Sequence, residues 1–145
     1  MLSYALMAWA IAYGAWRGGT PERMIAAILA AMFGFDRAGH LILAADGDSV
    51  DRLHVVVDAV TLFAMSGVAI EARRWWPLWA LASQTLSLLA DLSGITEQSL
   101  PTFAVVAVSV ALYYPIPVAL ICGTWTHRQR LRTVGRDRPW RDSSP

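Results

Sequence analysis

Long apolar runs, broken by short polar or glycine- and proline-containing segments, dominate the sequence. The breaks read RGGTPER (17–23), DGDS (46–49), ARRWWP (72–77) and TEQSLP (96–101). Glycine, proline and clustered Asp, Ser and Thr are residues that end helices and form turns. The runs between the breaks do not alternate apolar and polar residues as the strands of a membrane barrel would. The pattern therefore predicts five helices, over residues 2–16, 21–45, 50–72, 77–95 and 101–125.

Most of these helices are long and apolar enough to cross a membrane, which takes roughly 20 residues per crossing. The composition agrees, since 56% of the 145 residues are hydrophobic and 16% are charged, against roughly 25% charged in soluble domains. The N-terminal run lacks the basic start and the small-residue cleavage site of a secretory signal, so we expect it to be retained. The predicted fold class is an all-α integral membrane protein, a compact bundle of five transmembrane helices in the lipid bilayer.

The charges of the loops predict the orientation of the bundle. Arginines occupy the first loop, the third loop and the segment after residue 126. The second loop carries Asp46, Asp48 and Asp51 against Arg52, and the fourth loop has only Glu97. The positive-inside rule then places the N-terminus outside and the C-terminus inside. We expect a multi-pass protein of a bacterial-type inner (cytoplasmic) membrane, with residues 1–126 forming the bundle and residues 127–145 a basic, disordered cytoplasmic tail. Tryptophans gather at the predicted inner interface: Trp16, Trp75, Trp76, Trp79 and Trp125.

Two His–Asp pairs lie in this apolar context. Asp36 and His40 are four residues apart, as are His54 and Asp58, and this spacing puts both members of a pair on one helix face. The pairs are mirror images about Gly47. A helical hairpin with its turn at Gly47 therefore places His40 opposite His54 and Asp36 opposite Asp58, and Asp91 on the fourth helix falls in the same outer half of the membrane.

Ionisable side chains inside a membrane are costly unless they pair, bind an ion or contact water. Mixed imidazole and carboxylate ligands suit zinc, manganese or iron. The sequence thus predicts a divalent-metal site with His40 and His54 as primary ligands and Asp36, Asp58 and Asp91 as further ligands or orienting partners. The expected lining of the surrounding pocket is Arg37, Thr61, Gln84, Ser87 and Tyr113.

Three other interpretations of the same residues stay open. The site could exchange or relay protons, as His and Asp do in transporters. His40 and His54 could ligate haem b, although the short turn leaves little room for a porphyrin and the carboxylates are poor neighbours for it. The pairs could also only hydrogen-bond each other and stabilise the hairpin, because polar side chains join helices in membranes.

No G-x-S-x-G, Walker or dinucleotide-binding glycine pattern occurs, so nucleophilic and nucleotide chemistry have little support. The net charge of +1 does not indicate nucleic-acid binding.

The predicted function is metal binding or proton exchange at an outward-facing intramembrane His/Asp site, in transport or in a membrane-embedded reaction. Whether the protein is an enzyme stays open. The alternative is a non-catalytic membrane component, either an accessory subunit of a larger complex or a holin-like pore former. A homo-oligomer is compatible with both.

Overall fold

The computed structural model describes residues 2–42, 47–72, 74–96, 111–112 and 114–135. These residues contain five helices and no strand, so the predicted all-α class is confirmed for the described part of the chain. The helices are α1 (Leu2–Arg17), α2 (Thr20–Ile42), α3 (Gly47–Ala72), α4 (Trp76–Thr96) and α5 (Pro115–Val134).

The first four helices lie close to their predicted bounds. The largest differences, of three residues each, are at the end of α2, which ends at Ile42 and not at residue 45, and at the start of α3, which begins at Gly47 and not at residue 50. Gly47 is therefore a helical residue, and the predicted turn at this position was wrong. Residues 43–46, between α2 and α3, lie outside the described part of the chain.

The fifth helix differs most from its prediction over 101–125. Pro115 and Pro117 both lie in the first turn of α5, where a missing N–H leaves no intrahelical bond unmade. The helix continues past residue 125 because the next glycine or proline is Gly135, which has a left-handed φ of 74° and caps it. Residues 127–134 of the predicted tail are thus helical and not disordered; residues 101–110 and 136–145 lie outside the described ranges.

The helices form a bundle in which sequence neighbours run antiparallel. Helix α1 packs against α2 and α5, α2 also against α3 and α5, and α4 against α3 and α5. Two contacts show the alternation of direction, because the Tyr4 ring near the start of α1 meets Phe33 late in α2, while Glu22 at the start of α2 pairs with Arg74 just after α3.

The bundle therefore has two chemically different ends. We call the one that carries Tyr4, Asp36, His40 and His54 the histidine end. The opposite one, which we call the tryptophan end, carries four exposed indoles: Trp16, Trp75, Trp79 and Trp125.

Large apolar side chains cover the surface of the bundle as well as filling its core. Leu41 and Phe63 are both 84% exposed. Two segments, Thr20–Ile42 and Arg52–Ala72, are long and apolar enough to cross a membrane, and only 22% of the most apolar window in each is buried. A helix in the core of a soluble protein would bury most of that surface. The structure thus contains two candidate membrane-spanning helices among its described residues.

Candidate metal site at the histidine end

Asp36, His40 and His54 meet at the interface of α2 and α3. The Nδ1 atom of His54 lies 3.1 Å from Oδ1 of Asp36, and Nε2 of His40 lies 3.7 Å from the same oxygen. The two imidazole rings are 5.0 Å apart between centroids, in an edge-to-face arrangement. One nitrogen or oxygen atom from each of the three side chains lies within 4.8 Å of the other two. The predicted meeting of His40 with His54 is therefore present.

The ligand atoms lie somewhat farther apart than around a bound metal. Ligand atoms about 2.1 Å from a tetrahedral zinc ion are about 3.4 Å from one another. The three ligand atoms here fall within 4.8 Å, so the widest separation has to shorten by roughly 1.4 Å, which rotations of the side chains provide. The donor set of two imidazoles and one carboxylate fits zinc, manganese or iron.

A glycine brings the two helices together beside the histidines. Gly39 is buried, and the space that a side chain would fill there is occupied by Leu53 of α3. Because Gly39 precedes His40 and Leu53 precedes His54, this contact sets the distance between the two imidazoles.

Asp58 and Asp91 lie outside this three-residue group. The Asp58 side chain interacts with Asp91 and Gln84 of α4 and faces the charge of Asp36. Two carboxyl groups in contact are stable only with a shared proton or a cation close by. The structure thus separates the five predicted ligands into a triad (Asp36, His40 and His54) and a neighbouring carboxyl pair.

The remaining pocket residues have different surroundings. Arg37 lies beside the triad, with its Nε atom 3.6 Å from Oδ2 of Asp36. Thr61 is buried and donates its hydroxyl hydrogen to the Val57 carbonyl at 2.7 Å, within its own helix. Gln84 is buried beside Asp58. Ser87 is half-buried on α4, whereas Tyr113 lies outside the described residues.

The sequence reasoning missed a buried ion pair at the tryptophan end. Glu22 is 0% exposed, and its Oε1 atom accepts a hydrogen bond from Nη1 of Arg74 at 3.1 Å. Its Oε2 atom has no partner among the described residues and lies beside Gly19, as does the His127 ring of α5. Two signals could have revealed the pair: an acidic residue stands in the basic loop RGGTPER, and the arginine pair of ARRWWP is predicted on the same membrane side.

Comparison with protein-family models, with curated proteins and with solved structures found no significant match to this chain.

Proposed function

We propose that this chain is a five-span inner-membrane protein, oriented N-out and C-in, whose outward-facing Asp36–His40–His54 triad binds a divalent metal ion during transport. The observation that carries the proposal is the convergence of two imidazoles and one carboxylate across the α2–α3 interface. Zinc is the metal of choice, because three protein ligands leave one position for water or an incoming group. A site of this kind can both load and release its ion.

Three features support the membrane arrangement. Helices α2, α3 and α4 have 23, 26 and 21 residues, and 20 helical residues span about 30 Å, the thickness of the hydrocarbon core. Exposed tryptophans mark one end of the bundle, as they do at membrane–water interfaces. The arginines of α5 follow Trp125 at that same end, as expected for a cytoplasmic face.

The geometry favours a single ion over haem b. A porphyrin between His40 and His54 would need a slot between α2 and α3. The contact of Leu53 with Gly39 fills the space next to the two histidines, and the Asp36 carboxylate lies 3.1 Å from His54. A divalent cation fits both features, because it needs little volume and gains from the carboxylate charge.

The Asp58–Asp91 pair supports a role for proton exchange beside the metal. The two carboxyl groups contact each other, and Asp58 faces the charge of Asp36. An ion that enters the triad repels a proton shared by the pair. Metal movement and proton release are therefore coupled in this proposal.

Elemental analysis of the detergent-purified protein tests the metal site. The chain has three histidines, so His127→Ala provides a matched control at the opposite end of the bundle. We expect about one zinc per chain in the wild type and in His127→Ala, and none in the His40→Ala/His54→Ala variant. Equal metal content in the wild type and the double variant would refute the site, and the Asp36–His54 contact would then be a structural link between helices.

A further inference from the structure

We infer that Arg37 competes with the metal ion for Asp36, and that Tyr4 of α1 retains the arginine when the ion displaces it from that carboxylate. The competition would keep the affinity of the triad low enough for the ion to leave. This inference rests on the proposed metal binding.

The carboxylate of Asp36 faces different partners with its two oxygens. Its Oδ1 atom is directed to His54 and His40, at 3.1 and 3.7 Å. Its Oδ2 atom lies 3.6 Å from Nε of Arg37. Since a guanidinium stays protonated in proteins, a full positive charge lies at the carboxylate that would ligate the metal. That charge both neutralises Asp36 in the empty site and repels an arriving cation.

The same guanidinium also contacts two aromatic side chains, Tyr4 of α1 and Phe33 of α2. The Nη2 atom of Arg37 donates a hydrogen bond to the Tyr4 hydroxyl at 3.1 Å. The guanidinium carbon lies 4.9 Å from the centre of the Tyr4 ring and 5.9 Å from that of Phe33, which packs edge-on against Tyr4. An arginine that is displaced from Asp36 thus has a place in which its charge is stabilised.

This arrangement predicts effects of opposite sign for two nearby substitutions. Arg37→Gln removes the competing charge, so metal binding should tighten by about tenfold, the lower end of the effects seen for groups next to metal ligands. We take the lower end because the Arg37 side chain is 51% exposed. Tyr4→Phe removes the hydroxyl that retains the displaced Arg37, so the guanidinium stays at Asp36 and metal binding should weaken severalfold. A residue that only oriented Asp36 would give weaker binding in both variants.

Zinc affinity, measured by competition with a chromophoric chelator on the full chain in detergent, tests the inference. Arg23→Gln removes an exposed charge at the tryptophan end and should stay within about twofold of the wild type. Tighter binding by Arg37→Gln together with weaker binding by Tyr4→Phe supports the competition.

Unchanged or weaker binding by Arg37→Gln, in a wild type that binds zinc, overturns this inference alone. A wild type without zinc affinity overturns it together with the proposed function. Unfolding curves of each variant identify any loss of zinc affinity that comes from misfolding. If Arg37→Gln does not fold, Tyr4→Phe still tests whether loss of the Tyr4 hydroxyl weakens zinc binding.

Discussion

Replacing Arg74 by methionine should destabilise the bundle much more than replacing Glu22 by glutamine. The two side chains form an ion pair with 3.1 Å between Nη1 and Oε1, with Glu22 0% and Arg74 11% exposed. Arg74→Met leaves the carboxylate buried without its cation, a change that costs about 3–5 kcal/mol. Glu22→Gln leaves a neutral acceptor for an arginine that can partly reach solvent. The loss in the free energy of unfolding should therefore be about 1 kcal/mol, the difference between a charged and a neutral hydrogen bond.

Reversible unfolding of the full chain in detergent micelles measures both values. The Glu22→Gln/Arg74→Met double variant should be less destabilised than Arg74→Met alone, because replacing both members of a buried pair is often close to neutral. Arg23→Met alters an exposed neighbour of Glu22 and should change the stability by less than about 0.5 kcal/mol. Additive single effects, or a loss of under about 1 kcal/mol in Arg74→Met, would refute a coupled buried pair.

Three further predictions concern packing and the triad. Gly123→Ala should lower the free energy of unfolding by about 1–3 kcal/mol, because the new methyl group would lie 2.5 Å from the Trp76 ring. Gly67→Ala, with open space around its Cβ, should leave that free energy unchanged. Equal unfolding midpoints for the two variants would contradict this prediction. Asp36→Asn should lower zinc affinity by at least about tenfold in a chelator competition, and by more than Asp91→Asn does, because only Asp36 is a proposed ligand; the reverse order would exclude the triad as the site. Acidification should release zinc, since protons compete for imidazole and carboxylate ligands, and pH-independent binding would argue against these ligands.

The helices and the meeting of the two histidines could be predicted from sequence because both depend on local spacing. Apolar runs between breaks identify helices, and four-residue spacing places Asp36 with His40 on one face. An antiparallel pair then brings His40 to His54, even though the helix starts at Gly47 where a turn was expected.

Other features depend on helix rotation and on contacts distant in sequence. The His54 imidazole meets Asp36 across the interface at 3.1 Å, and the close approach of Gly39 to Leu53 that permits this has no signature in the hydrophobic pattern. The Glu22–Arg74 pair joins residues 52 positions apart. Glu22 and Arg74 both lie in basic breaks of the sequence pattern. The charges of such a segment do not by themselves show which of its side chains become buried.

X-ray absorption at the zinc edge on the purified protein tests the central claim most directly, because it reports which atoms ligate the metal. The proposal predicts a first shell of nitrogen and oxygen at about 2.0–2.2 Å with the outer-shell scattering of two imidazoles, and loss of one imidazole in His54→Ala. A shell of oxygen alone, or a spectrum that stays the same in His54→Ala, would contradict metal binding by Asp36, His40 and His54.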